Sequence, residues 1–381
     1  MENEIKTLFG KTELYKINNC NKKSTERKRH YGIDLFKIFA TINVVILHIN
    51  SHSGLIKHNL NNNSSKFKKI WCLEIFAYWA VNGFGIISGF VGYKRHRFSN
   101  LIYLWVEVLF YSLFLSIFLF FIKEISYYEV FLSFFPLLIR RHWYVNAYFW
   151  MYLILPFINE GIKNLKQKVM KNIIIFFFFF FSFYHIISKI IKIFEYNYLN
   201  NGYSTNWLII LYIIGAYFGK YVLKNKNNKT ITYFIFWFFI YFICSFFTLM
   251  FYLKKIKFKK IANNIFINYL SPTILFQAIS LLMFFSKLDI ENRLVQRIIN
   301  NLNPLNFSVI MIHGRLFPYK KISSKIFFNL IKDYKGDFIL TKICLLSILI
   351  YIFSVLIDSL RLLLFRLLKI RNLCKLIENN F

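Results

Sequence analysis

Ten stretches of this chain, at 33–49, 71–93, 101–122, 143–159, 172–192, 205–222, 231–253, 268–286, 303–319 and 341–367, are apolar almost without interruption. A bilayer core of about 30 Å is crossed by roughly 17–25 residues of apolar helix, so each run is a candidate span. Several, such as the run Phe176 to Phe181, are apolar on every side and would be lipid-exposed if helical. Composition agrees: 57% of the 381 residues are apolar and 21% aromatic, against about 45–50% apolar in soluble domains. The expected fold is all-α, a polytopic membrane bundle of about ten helices. No internal repeat is visible, which disfavours repeat-built transporters.

A formal charge of +32 would ordinarily point to nucleic acid. Here the basic residues fall in short clusters between apolar runs, so they are read as loops and membrane surface, with no nucleic-acid partner. Eight Lys/Arg precede residue 33, three lie within Lys94–Arg97, four in 160–171 and three in 223–230, whereas 193–204 has none. By the positive-inside rule both ends are then cytoplasmic. Two loops on the expected outer side, Lys254–Lys260 and Lys320–Lys335, nevertheless carry five each. The division expected is a basic N-terminal segment at 1–32, a membrane domain at 33–370 and a short cytoplasmic tail at 371–381. The five cysteines lie far apart without a C-x-x-C pair, so neither a disulfide framework nor a metal site is expected.

Ionisable groups inside apolar spans are costly and usually functional. The candidates are Asp34, Lys37, His48, Glu74, Glu107, His313, Arg315, Asp358 and Arg361. Lys37 and His48 stand eleven residues apart, about 20° past three full turns, so they share a helix face about 16 Å apart along the axis. Asp34 is three residues before Lys37 and can pair with it. One helix thus presents an ion pair near one membrane surface and an imidazole deep inside.

Two further patches stand out. NGFGIISGFVGYKRHR at 82–97 has glycines that let backbones approach, then Lys94, Arg95, His96 and Arg97, cations suited to phosphate oxygens or to anchoring topology. HWYVNAYFWMYLILPFIN at 142–159 reads either as an interfacial aromatic belt or as the rim of a sugar site where Trp143 and Tyr144 stack on a glycan.

At these residues the chain resembles acyltransferase family 3, bacterial membrane O-acyltransferases of surface polysaccharides. The likeness runs through YGIDLFKIFATINVVILH (31–48), EIFAYWAVNGFGIISGFVGYK (74–94), HWYVNAYFWMYLILPFIN (142–159), SPTILFQAISLLMFF (271–285) and FSVIMIH (307–313). The family's Arg and His, ten residues between them, appear here as Lys37 and His48, and its Arg-x-x-Arg as Lys94-x-x-Arg97. Arg to Lys keeps the charge and loses the bidentate fork.

The resemblance implies acyl transfer from cytoplasmic acyl-CoA, usually acetyl-CoA as co-substrate with no bound cofactor, to a hydroxyl of a polysaccharide or lipid-linked glycan. It also implies residence in the bacterial cytoplasmic membrane. On it, His48 is the base, with Lys37 and Asp34 beside the donor path. Lys94, Arg95 and Arg97 hold the CoA phosphates, and Trp143, Tyr144, Asn146 and His313 are the acceptor-side candidates. Some members carry an extra hydrolase-like domain; none is visible before Phe381, so the chain is expected to act alone or hand its acyl group to a partner. The alternatives are a polymerase of lipid-linked repeat units, which calls for a larger outer loop, and a flippase or exporter, which calls for more spans.

Overall fold

The computed structural model describes residues 29–58, 65–94, 96–139, 142–191, 197–222, 230–257, 265–332 and 338–380. Arg95 and most of the N-terminal segment lie outside these. Among the described residues the regular structure is helical, with no strand.

The chain runs through α1 (Tyr31–His52), α2 (Ser65–Ala77), α3 (Ala80–Gly92), α4 (Phe98–Phe121) and α5 (Trp143–Asn164). Next comes α6 (Gln167–Ile191), whose middle, Phe178–Phe183, is a π turn. It continues with α7 (Thr205–Tyr217), α8 (Ile231–Lys257), α9 (Pro272–Lys287), α10 (Arg293–Leu302) and α11 (Asn306–Leu316). The last three are α12 (Lys320–Lys332), α13 (Ile339–Leu367) and α14 (Ile370–Asn380). Local chemistry sets several starts. Ser204 Oγ accepts from Trp207 N at 3.2 Å, Asn292 Oδ1 from Leu294 N at 2.9 Å, and Pro272 opens α9 with its fixed φ.

Among the described residues six segments are long and apolar enough to cross a membrane: α1, Phe67–Gly92, α4, α6, Ile231–Leu253 and α13. The protein is a multi-pass membrane protein built as a helix bundle. The other four expected spans are helices too, but α7, α9 and α11 are shorter and α5 is more polar, so a count of ten is not established. Burial separates the centre from the rim. In α1 and Phe67–Gly92, 72% of the most apolar window is buried, against 17% in α6 and α8. The central helices carry the polar residues; the peripheral ones present Phe176, Phe179 and Phe180 outward.

The second span is broken at Tyr78–Trp79. A break frees carbonyls that lipid cannot satisfy. Tyr241 and Trp79 donate to Phe76 O at 2.7 and 2.9 Å, and Gln277 Nε2 reaches Ile75 O at 3.5 Å. The half after the break, α3, crosses α7 backbone to backbone. A methyl group on Gly89 would overlap the carbonyl oxygen of Tyr212, and one on Gly215 that of Ile86. Phe36 of α1 is stacked between Trp79 and Phe285 at 5.3 and 5.1 Å, tying α1 to α3 and α9.

Three charges expected within spans form one buried cluster between α4 and α13. Arg361 Nε lies 2.5 Å from Asp358 Oδ1, and its Nη2 lies 3.0 Å from Asp358 Oδ2 and 3.1 Å from Glu107 Oε1. Arg361 Nη1 also donates to Tyr103 at 3.1 Å, and Tyr111 donates to Asp358. All three guanidinium nitrogens are engaged, so the cluster reads as a clamp joining two helices.

The segment expected as a tail is mostly the helix α14, packed on α4. The Ser99 hydroxyl, the amides of Ser99 and Phe98, and the charge of Arg97 hold the Glu378 carboxyl below the ordinary carboxylate range. This is the favourable place for a negative charge beside a helix N-terminus.

Candidate active site

Candidate functional side chains gather at the two ends of α1. At its first turn Asp34 accepts from Arg29 Nε at 2.6 Å, from Asn303 Nδ2 at 2.8 Å and from Lys37 Nζ at 3.3 Å. The expected Asp34–Lys37 pair is therefore present, but Asp34 is shared, and Arg29 holds it more closely. Lys37 is left with a partly exposed side chain, 27% accessible against 10% for Asp34. It faces a cavity of about 250 Å³ lined also by Ser88, His96, Asn100, Tyr148 and Tyr152.

The wall of this cavity contains a local device. Pro156 lies inside α5 and has no N–H to offer the carbonyl one turn back. That carbonyl belongs to Tyr152, and His96 Nε2 supplies the missing donor at 3.1 Å. Tyr152 in turn donates from its hydroxyl to Arg97 O at 3.2 Å. The connection carrying the expected phosphate-binding residues is thus pinned to α5. Lys94 and Arg97 are exposed at its surface, with Lys94 Nζ 5.5 Å from the Tyr93 ring.

At the far end of α1 stands a group of imidazoles. The His48 ring centroid lies 4.8 Å from that of His313 on α11 and 5.8 Å from that of His52, one turn on. The His142 ring lies close to Gly314, which adds a fourth imidazole beside His313. His313 is fully buried, at 1% exposure, and its Nδ1 contacts the carbonyl of Val309. His48 Nδ1 and His313 Nε2 are both buried with no hydrogen-bond partner. Among the described residues no set of three or more His, Cys, Asp or Glu is arranged to hold a metal ion.

Between the two ends runs a row of tyrosines on α5. Tyr144, Tyr148 and Tyr152, spaced one turn apart, have ring centroids 6.2 Å from one to the next, and the Tyr144 hydroxyl is buried without a partner.

Residues 30–358 match the family model of the acyltransferase domain, Acyl_transf_3. The chain belongs to acyltransferase family 3. No curated protein and no solved structure shows a significant match. In this acyltransferase the spaced pair Lys37 and His48 thus marks two separate chemical environments on one helix. Of the other expected residues, Trp143 packs among Tyr203 and Tyr269 at 4.5 and 6.2 Å, and Tyr144 opens the tyrosine row. Asn146 donates from its amide to the Leu137 carbonyl, which holds the approach to α5. Sequence reasoning passed over Arg29, Asn303 and Tyr152, and read His96 as one of a cluster of cations, not as the donor to a helix carbonyl. For Tyr152 the signal was the Tyr144-Tyr148-Tyr152 spacing; for His96 it was the proline four residues beyond Tyr152.

Proposed function

We propose that this acyltransferase is a membrane O-acyltransferase of the bacterial cytoplasmic membrane. It moves an acyl group, acetyl in the first instance, from an acyl-CoA at the Lys37 end to a hydroxyl of a surface or lipid-linked polysaccharide at the histidine end. What carries the reading is the two-ended α1: a cation in a cavity at one end, an imidazole group at the other, and a tyrosine row between them.

The cavity of about 250 Å³ falls below the roughly 300–1,000 Å³ typical of pockets that enclose a drug-sized ligand. It suits the thioester arm and leaves the nucleotide outside. The diphosphate then meets Lys94 and Arg97 at the exposed surface, with Arg95 beside them in sequence. The arm lies along Tyr152, Tyr148 and Tyr144 and brings the thioester towards His48. There the acceptor hydroxyl gives its proton to the His48 imidazole as its oxygen attacks the thioester carbonyl. The carbon–sulfur bond breaks, and the CoA thiolate leaves with the proton returned by the imidazolium. Trp143 and Tyr144 line the acceptor side.

The test is His48→Ala in membranes supplied with labelled acetyl-CoA, with mass spectrometry of the surface glycan. Loss of the base is expected to lower transfer roughly 10²–10⁴-fold at unchanged protein abundance. Normal glycan acylation at normal abundance refutes the assignment.

A further inference from the structure

The two orphaned nitrogens at the histidine end are chemically complementary. A carbonyl oxygen only accepts, so the His313 Nδ1 that touches Val309 O carries a proton. A neutral imidazole has one N–H and one lone pair, so His313 Nε2 presents a lone pair. That lone pair is buried and unpartnered, and so is His48 Nδ1, in a ring 4.8 Å away. His48 as a whole is only half-buried, and Nδ1 is its enclosed nitrogen.

We propose that His313 is a positioning residue: its Nε2 accepts a hydrogen bond from His48 Nδ1–H and so fixes His48 with its lone pair on Nε2, towards the acceptor hydroxyl. This rests on the acyl-transfer reading above. The proposed chain runs from the Val309 carbonyl to His313 Nδ1–H, a contact the structure contains, then from His313 Nε2 to His48 Nδ1–H, a bond between two nitrogens that are unpartnered in this structure, and from His48 Nε2 to the hydroxyl. A backbone carbonyl and a second imidazole together do what a carboxylate does for the histidine of a catalytic triad, selecting the tautomer and holding the ring. In transfer the hydroxyl proton moves to His48 Nε2. The resulting imidazolium, with both nitrogens protonated, keeps its Nδ1–H on His313 until Nε2 returns its proton to the departing thiolate. His313 itself gains and loses nothing.

The same geometry accounts for the placement of α11. His313 lies 265 residues from His48 in the sequence, and its ring is held from within its own helix by the carbonyl one turn back. The lone pair therefore has a fixed direction before any substrate arrives, which is what tautomer selection needs. The His142 ring lies against Gly314, next in the chain.

The experiment compares His313→Leu, His313→Gln, His48→Ala and the double variant His48→Ala/His313→Leu in reconstituted full-length protein, with labelled acetyl-CoA and the purified glycan. His313→Leu is expected to lower kcat on the order of 10²-fold or more, as loss of an orienting partner does, with the KM for acceptor unchanged. His313→Gln, whose amide carbonyl can accept from His48 Nδ1–H, is expected to recover most of that kcat. In the His48→Ala background the Leu change is expected to cost nothing further, because residues acting as one unit are not additive. An unchanged kcat in His313→Leu overturns the proposal. So does a Gln variant as slow as Leu at normal abundance, or an additive double variant. Should His313→Leu fail to accumulate, the Gln variant decides alone: abundant protein as slow as His48→Ala overturns the proposal. Full activity in His48→Ala is a different failure, that of the acyl-transfer reading itself.

Discussion

Replacing Arg361 by methionine tests whether the buried charges between α4 and α13 clamp the fold or take part in chemistry. The substitution keeps much of the side-chain length and removes the cation at the centre of the cluster. Asp358, at 0% exposure, and Glu107, with its side chain 8% exposed, then lose their shared counter-charge. Removing one partner of a buried pair costs about 3–5 kcal/mol, which is about two to three and a half powers of ten in a folding equilibrium at 1.4 kcal/mol per tenfold. Neutralising the remainder, as Arg361→Met with Asp358→Asn and Glu107→Gln, should return most of that loss, because the amide oxygen introduced by Asp358→Asn can still accept from Tyr111. The assay is unfolding of the purified protein by SDS in mixed micelles, with acyl transfer measured per folded molecule. The single variant should unfold at clearly lower SDS, the triple near the parent, and activity per folded molecule should hold throughout. A single variant as stable as the parent refutes the clamp. One that stays folded but inactive would move the cluster into the catalytic machinery.

At the Lys37 end, Lys37→Arg should keep transfer while Lys37→Ala should lose it, read as labelled acetyl appearing on the glycan. Asp34→Ala should impair transfer less severely than Lys37→Ala, because Arg29 and Asn303 share that carboxylate and Lys37 keeps partial access to water. The double variant Lys94→Ala/Arg97→Ala should raise the KM for acetyl-CoA and flatten its dependence on ionic strength, since exposed charges are screened beyond about 8–10 Å at physiological salt; an unchanged KM returns these residues to topology alone. Gly89→Leu should drive α3 and α7 apart and cut membrane abundance, overpacking costing about 1–3 kcal/mol or more. Normal abundance there would show the crossing to be compliant.

Apolarity and length made α1, α4, α8 and α13 legible in the sequence, because a long lipid-compatible helix needs little else. The break at Tyr78–Trp79 was not legible. Hydropathy sums the run, whereas the break is tolerated because Tyr241 and Gln277, far along the chain, join Trp79 in taking up the freed carbonyls. α5 shows the opposite difficulty, since its polar residues lower its hydropathy although it is as long as α1. Within the site, Lys37 and His48 could be put on one face because both lie on one helix. The neighbour of His48 could not: His313 reaches it through the packing of α11 against α1, and no local pattern encodes that.

Pro156 leaves a different mark on the protein. A proline inside a helix is destabilising by about 3 kcal/mol, and here the carbonyl it orphans is the one that His96 grips. Pro156→Ala would give Tyr152 O a donor from its own helix, so α5 should become more robust while His96 and the connection beside it lose their tether. The acyltransferase has thus exchanged part of the durability of one helix for the fixed mouth of its cavity. A search for stabilised variants would arrive readily at this position, and would harvest a sturdier protein with a slacker site.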